Sequence, residues 1–595
     1  MNHINRNRFL RQSLQVGAVA FFCPVGQLFA TGTAAVNTPA FLKEDIFERL
    51  VKANDGQVKR LLSLTGPASF SRRVGFDFAT LVASYCTKES SYYQQSELVL
   101  ALNRITDQLL SVQSADGTVS IGNLESPPDT AFLLEPLCSA AQILMEHPSE
   151  PMQPITEKIK RFIVKAAAAL ASGGVHTPNH RWVISAALAQ INHLYPNQQY
   201  VARIADWLGE GVFIDADGHY PERSMTYSYV ENRSLLTMGR LLNKPALFAP
   251  VKKNLEMTYY YMEPDGSLVT TDSRRQDQYL TKNIVSWYLL YRYFAIRDNN
   301  RQFAAIAKSI EQMEGFNEEI LDTSLFHFLE TPLLQKEMPA PIQLSVEYEK
   351  LFTTSHLARI RRGNTSATIF GGVDWPLIIA SGRSDSPNFF SYRKGKAALK
   401  YLRLSSDFFS MGYFYSEGLK KKGNSFILHK KQTVPYYQPL PKNLRNAKGD
   451  YQLSPSTDGR FWNKMAFEKR PVSNVKTLET TITVTDADDR TSLHFLITGM
   501  PGVAVTLELC FNEGGQLSGT TTAAGNNENY FLENGEGKFE YKGDTIHFGP
   551  GNIVGRKLTN LEGERYSTHF GNLRTSGTHV YITGITPFEH TLFFY

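Results

Sequence analysis

Through most of its first half the chain sets apolar residues at helical intervals. Ile46, Leu50 and Val51, then Val58, Leu61 and Leu62, share a stripe, as do Ile155, Ile159, Ile163 and Val164; such spacings collect side chains on one face of a 3.6-residue helix. From about Phe41 to Gly315 the pattern predicts helices of roughly ten to twenty residues with short breaks between them. From Leu357 onward alternation replaces it. Ala367-Thr368-Ile369-Phe370, Leu478 to Val484 and Val580-Tyr581-Ile582-Thr583 read as strands between turns rich in Gly, Asn and Asp. Helices followed by strands predict separate all-α and all-β domains, joined through Glu337 to Ser345 with its prolines Pro339 and Pro341.

A weak internal repeat runs through the helical half. Asp116-Gly117, Asp217-Gly218 and Asp265-Gly266 each follow a predicted helix and lead through a polar stretch into the next, at separations of 101 and 48 residues. The unit is then about fifty residues, the size of a helical hairpin. Gly173-Gly174 falls where the missing member belongs. Hairpins closed into a ring would bring all their loops to one end, so four loops are expected to share a cleft. They are Asn123 to Phe132 (NLESPPDTAF, with Asp129 or Thr130 as helix N-cap), Thr177 to Trp182 (TPNHRW), Asp217 to Tyr229 (DGHYPERSMTYSY) and Asp265 to Tyr279 (DGSLVTTDSRRQDQY).

Length and composition are compatible with this division. A chain of 595 residues exceeds one core, and 42% hydrophobic with 12% aromatic residues describes a packed globular protein. Arg6, Arg8 and Arg11 precede the apolar run Val16 to Phe22 and the small residues Gly32-Thr33-Ala34, so residues 1–35 are expected to be an export signal and the mature chain to be periplasmic or secreted. Removing that segment, which holds three arginines and no acid, lowers the net charge from +5 to +2. No nucleic-acid partner is implied, no apolar stretch reaches spanning length for membrane insertion, and Cys86, Cys138 and Cys510 lack the spacing of a cysteine metal cluster.

The second and third loops carry the chemistry. Asn179-His180-Arg181-Trp182 continuing to Ala186-Ala187-Leu188, then Asp217-Gly218 with Glu222, Ser224 and Tyr227 about forty residues on, resemble the toroidal polysaccharide lyases related to heparinase II/III and alginate lyases. The resemblance implies an incomplete (α/α) toroid over residues 36–340 followed by an antiparallel β-sandwich over residues 341–595. It also implies an activity, β-elimination on an acidic polysaccharide or oligosaccharide. By it, Asn179 binds the uronate carboxylate, His180 belongs to the acid/base machinery, and Tyr227 is general base, acid or both.

Such a set suits the reaction. The proton beside a sugar carboxylate is too weakly acidic to leave until the carboxylate is neutralised and the developing enolate stabilised. A base and an acid must then reach the carbon proton and the leaving oxygen. No cofactor is needed. Two residues apart on a helix, Tyr227 and Tyr229 face nearly opposite ways, and the motif selects Tyr227, leaving Tyr229 to pack or bind sugar. Trp182 is sugar platform or core; Arg223, Arg274 and Arg275 are substrate clamps or a solvated set; Tyr259-Tyr260-Tyr261 mainly packs.

One departure limits the resemblance. The heparinase II/III type carries a His-x-His-x-Asp motif early in the β-domain, whereas Arg383 to Arg393 here reads RSDSPNFFSYR. His356 and His429 are the nearest histidines, without metal-ligand spacing, and whether either contributes is left open. No metal is expected. A narrower resemblance is to lyases that remove L-rhamnose capping glucuronate on arabinogalactan side chains. Two other classes stand beside the lyase: a glycoside hydrolase on a helical toroid, drawing a carboxylate pair from Asp129, Asp217, Glu222 and Asp272, and a non-catalytic glycan-binding protein.

Overall fold

The computed structural model describes residues 45–64, 70–372, 386–409, 411–456, 462–487, 489–522, 529–552, 554 and 576–595. The expected export segment lies outside them, as do residues 383–385 of the histidine-free stretch. The described chain forms two compact units. One runs to Gly209 and adds Asn317–Lys336; the other comprises Glu210–Phe316 and Glu337–Tyr595.

The first unit is helical: Ile46–Ser63, Arg73–Cys86, Ser96–Val112, Pro127–Glu146, Gln153–Ser172, His180–Leu194, Gln198–Gly209 and Leu325–Glu330. The apolar stripe of Gln153–Ser172 is the face it buries, through Ile155, Ile159, Phe162, Ile163, Ala166 and Leu170. Pro127–Glu146 starts one turn earlier than expected. Its N-cap is Ser126, whose hydroxyl accepts the Asp129 N–H, and Pro127 occupies the first turn, where no backbone donor is missed. Asp129 and Thr130 therefore lie inside the helix, free for side-chain work.

The second unit adds helices Met225–Leu241, Phe248–Tyr261, Tyr288–Arg297 and Arg301–Ile310 to all the long strands. Helix gives way to strand between the turn Pro332–Gln335 and strand Glu347–Phe352, and the predicted linker is coil. Nine strands form one sheet, ordered from Glu347–Phe352 through Leu357–Arg362, Thr365–Phe370, Phe390–Lys394, Ala397–Ser406, Ala504–Phe511, Thr578–Ile585 and Asn529–Phe531 to Thr521–Thr522. Eight more form another, whose centre is Ser425–Tyr437, Val472–Ala487, Arg490–Gly499 and Phe588–Phe594. Ile369, Leu402, Leu507 and Val580 of the first sheet share a buried core with Leu428, Ile482, Phe495 and Leu592 of the second, the packing of a sandwich. Pairing departs from antiparallel in one described place, between Asn529–Phe531 and Thr578–Ile585.

The Asp-Gly repeat is one turn built in three places. Ser114, Asp215 and Glu263 each donate their N–H to the carbonyl four residues on, at 2.9, 2.9 and 2.7 Å. Gly117, Gly218 and Gly266 sit at φ +100°, +102° and +82°, where an L side chain is strained. A Cβ would also meet the Lys165 carbonyl, the Lys253 carbonyl and Met313 Sδ within 2.3, 2.9 and 2.6 Å respectively. Lys165 and Lys253 then repeat the same contact, each donating to the carbonyl of the turn's first residue at 2.8 and 2.7 Å. The fourth member differs: Gly173 is an extended helix cap at φ −74°, so Gly173-Gly174 marks the position without making the turn.

In the second unit the last of these turns is tied to the nine-stranded sheet. The Arg359 side chain, 0% exposed, donates to both oxygens of Glu263 at 3.1 and 2.7 Å and to the Tyr260 carbonyl at 3.0 Å. Removing one partner of a buried pair strands the other's charge. Arg359→Ala is therefore expected to destabilise the protein by about 3–5 kcal/mol, read by denaturant unfolding, whereas a loss under about 1 kcal/mol would mark the pair as dispensable.

Candidate active site

In the first unit the first two loops meet. Helix His180–Leu194 begins directly after Asn179, which is fully buried and whose carbonyl accepts the N–H groups of Trp182 and Val183 at 3.1 and 3.2 Å. Asn179 Nδ2 reaches Thr177 Oγ1 at 3.4 Å. The His180 ring stands edge-on to His176 at 4.8 Å and to Phe132 of the first loop at 6.1 Å. Arg72 lies over Phe132 at 4.3 Å and pairs with Asp129, which also accepts from Asn123 at 2.9 Å. Burial pushes the Asp129 carboxyl up, but Arg72, Ser126 and Asn123 together outweigh it and hold it below the usual range. Trp182, 2% exposed, packs in the interior with Arg181 over its ring at 4.8 Å.

In the second unit the third and fourth loops are stitched together. Ser224 caps helix Met225–Leu241 by accepting the Tyr227 N–H, and its hydroxyl donates to Asp277 at 2.8 Å. Asp277 also takes the Thr226 N–H at 3.1 Å and the Ser273 hydroxyl at 2.5 Å. Arg274 donates to the Pro221 carbonyl at 2.8 Å. Arg275 forms a buried ion pair with Glu222, and Arg223, at φ +48°, reaches the Thr354 carbonyl at 3.1 Å.

This stitching places the phenol of Tyr227. Gln276 Nε2 donates to its oxygen at 2.9 Å, Arg275 Nη2 donates at 3.3 Å, and the Arg275 guanidinium lies 4.3 Å from the ring centre. Tyr229, starting from the same helix, turns elsewhere: its ring meets Trp287 at 5.2 Å and its hydroxyl takes a bond from Arg233 at 3.2 Å. The two phenols diverge because the helix has begun at Met225.

The sequence motif had not singled out His219. Its ring, 0% exposed, contacts Tyr261, whose hydroxyl lies 2.9 Å from His219 Nε2 and donates to Asp272 at 2.7 Å. Since the phenol's hydrogen goes to Asp272, Nε2–H of His219 is the donor in the other bond. Burial lowers the His219 pKa; Asp272 and Asp217 oppose that, and Arg223 and Arg274 reinforce it. Burial likewise raises Asp272. Asp217 spends its carboxylate on the N–H groups of Thr353, Thr354 and Ser355, at 3.2, 2.6 and 3.2 Å. Of the two histidines nearest the missing motif, His356 is exposed at φ +54°, and His429 pairs with Glu479 at 2.9 Å.

Known structures share this architecture. The chain is similar to heparinase III (TM-score 0.53, 11% identity, covering 95% of this chain and 87% of that chain) and to a Paenibacillus xanthan lyase (TM-score 0.50, 11% identity, covering 92% and 57%). It is also similar to the Streptomyces coelicolor A3 chondroitin AC lyase in complex with chondroitin sulphate (TM-score 0.47, 13% identity, covering 99% and 82%). No family model matches the chain, and no curated protein does. What the likeness shows is the fold: helices followed by a β-sandwich, as in heparinase III.

The buried histidine carries a pH dependence of known sign. Held neutral when folded, His219 takes up a proton on unfolding below its usual 6.5, so the stability it contributes is present above that pH and lost as pH falls, by at most about 1.4 kcal/mol per pH unit. Melting temperatures of wild type and His219→Gln, followed from about pH 7.5 to about 5.5, should therefore draw together on acidification. A constant gap would show that His219 is not held neutral.

Proposed function

We propose that the protein is a polysaccharide lyase that cleaves a uronic-acid-containing glycan by β-elimination. The observation that carries the reading is the setting of Tyr227, a phenol at the first turn of a helix with two donors on its oxygen and a guanidinium against its ring. Donors on the oxygen and a guanidinium against the ring are placed where they can stabilise the negative charge that a tyrosine carries when it acts as a base. Glu222 takes up part of the Arg275 charge, so Gln276 carries a share of that stabilisation. The likeness in fold to heparinase III and to a xanthan lyase supports the same class.

By the sequence resemblance, Asn179 binds the uronate carboxylate and His180 belongs to the acid/base machinery; in the second unit, Arg223 and Arg274 add positive field in the loops that hold Tyr227. Tyr227 removes the proton from C5. The electron pair forms the C4–C5 double bond, the C4–O bond breaks, and the departing oxygen receives a proton from Tyr227. Arg275 acts through Tyr227 and Glu222. Trp182 and Tyr229, each packed against its own neighbours, support the loops from which the sugar is held. The chain is exported in this proposal; among the described residues no helix is long and apolar enough to cross a membrane.

The alternative of hydrolysis needs two carboxylates flanking the bond. All four acids available to it are engaged within the protein: Asp129 with Arg72, Glu222 with Arg275, Asp217 with three backbone donors and Asp272 with Tyr261. That engagement favours elimination. Within the lyase class, the rhamnosyl-glucuronate linkage of arabinogalactan is the finer reading, supported by the sequence resemblance.

Elimination alone creates a conjugated unsaturated uronate, so incubation with arabinogalactan, heparan sulfate, chondroitin and xanthan should raise ultraviolet absorbance with at least one. New reducing ends without absorbance would establish hydrolysis instead, and binding without either would establish a glycan-binding protein. Tyr227→Phe and His180→Ala should each lower turnover by about 10²–10⁴-fold with the melting temperature kept. A Tyr227→Phe variant at wild-type rate would move the base elsewhere.

A further inference from the structure

The short stretch of the fourth loop that reaches Tyr227 is pinned at both ends. At its far end Asp277 accepts the Ser224 and Ser273 hydroxyls and the Thr226 N–H. At its near end the buried Asp272 accepts the Tyr261 hydroxyl at 2.7 Å. Between the two acids lie Arg274, Arg275 and Gln276, the last two with their side chains on the Tyr227 oxygen. Asp277 fastens the loops to each other, whereas Asp272 fastens the fourth loop to a residue outside both. All of these belong to the second unit.

Tyr261 is fixed before it meets the loop. It closes helix Phe248–Tyr261, is fully buried, and takes the Val269 N–H on its carbonyl at 2.9 Å. The ring stands edge-on to Phe352 at 5.1 Å and to His219 at 5.3 Å, which sets where the hydroxyl lies. His219 approaches that oxygen through Nε2 at 2.9 Å. By donating to it, the imidazole turns the phenol's own hydrogen toward Asp272. Imidazole, phenol and carboxylate act in series, and a buried polar series holds its members more firmly than separate bonds would.

Little slack separates this anchor from the Tyr227 phenol. Arg275 follows Asp272 by three residues, which span at most about 11 Å when fully extended. The backbone between them is itself engaged: the Ser273 N–H on the Thr270 carbonyl at 3.0 Å, the Arg274 N–H on the Glu222 carbonyl at 3.2 Å and the Arg275 N–H on the Ser273 hydroxyl at 3.1 Å. A buried carboxylate that loses its hydroxyl donor moves to find another, since leaving it unsatisfied is costly, and so taut a stretch passes that movement on. Arg275 Nη2 stands 3.3 Å from the phenol oxygen, at the long end of the hydrogen-bond range, where a small displacement releases it.

We propose that Tyr261, acting through Asp272, is a positioning residue for Tyr227: it holds Arg275 and Gln276 at the phenol while itself remaining buried away from any substrate. The proposal rests on the reading of Tyr227 as the group that moves the proton, and it adds the residue, from neither loop, that keeps that group's hydrogen-bond partners in place.

Tyr261→Phe removes the hydroxyl and keeps the ring. Tyr291→Phe is its control, because Tyr291 is as deeply buried in the same unit and donates its hydroxyl to the Leu255 carbonyl at 2.8 Å, on neither loop. In full-length protein labelled at the tyrosine ζ carbon, with the Tyr227 resonance assigned by its loss in Tyr227→Phe, Tyr261→Phe should move that resonance and Tyr291→Phe should leave it in place. On a glycan that the wild type cleaves, Tyr261→Phe should lower kcat by about 10- to 10²-fold with KM changed by less than about twofold, while Tyr291→Phe keeps the wild-type kcat, each assayed well below its melting temperature. Asp272→Asn, which keeps an acceptor for the phenol but bonds it more weakly, should show both changes in smaller measure and serves if Tyr261→Phe does not fold. An unmoved Tyr227 resonance in the folded variant, or an equal loss of kcat in Tyr291→Phe, would overturn the proposal. The two readings fail separately. A resonance moved by Tyr261→Phe without turnover of any glycan removes the lyase and keeps the positioning; turnover with resonance and kcat untouched in Tyr261→Phe does the reverse.

Discussion

The buried ion pair between Glu222 and Arg275 is the contact on which the third and fourth loops of the second unit depend. Each residue sits in a loop that has no regular structure to hold it, and each would be costly to bury alone. Together they join the third loop to the fourth, and the join is reinforced by Asp277, which collects Ser224, Thr226 and Ser273. Attraction across the pair offsets desolvation only where the geometry is fixed by further bonds, and that reinforcement supplies them. Tyr227 inherits its position from this arrangement. Its backbone is set by the Ser224 cap and its phenol by Arg275 and Gln276, so the same few residues that close the loops also orient the group proposed to move the proton.

Much of the fold could be read from periodicity, because helices and strands bury one face and repeat it locally. The Asp-Gly repeat was readable for a related reason: a turn that needs positive φ and admits no Cβ leaves glycine as a visible mark. Where a signal had two physical sources, reading it went astray. Gly173-Gly174 carries the glycine but not the turn, since a glycine also serves where a helix simply ends. Asp129 and Thr130 are good capping residues in the abstract, yet Ser126 followed by Pro127 takes the cap and leaves Asp129 to Arg72.

The candidate site could be picked out only in part from the sequence. Asn179, His180 and Tyr227 stood out by motif, and the divergence of Tyr227 from Tyr229 followed from helix geometry alone. Asp277, Gln276 and His219 did not stand out, because their roles are made by partners in other loops. His219 sits in the quoted third loop, but the residues that define it, Tyr261 and Asp272, lie forty and more positions away. The parallel pairing of Asn529–Phe531 with Thr578–Ile585 was hidden for the same reason; alternation reports which face a strand buries and not which neighbour it takes.

An arginine-rich loop invites the assumption that its cations wait for an acidic substrate. The structure assigns them first to the protein: Arg275 to Glu222, Arg274 to Pro221, Arg223 to Thr354. Cations so held keep their field while losing their freedom, and fixed charge is what a developing enolate can use without reorganisation at the moment of reaction. Asp129, Asp217, Glu222 and Asp272 are held in the same way, each by partners within the protein. A site of paired ions around one positioned phenol is thus suited to stabilising a transient negative charge, and its donors and dipoles are already aimed before any sugar arrives.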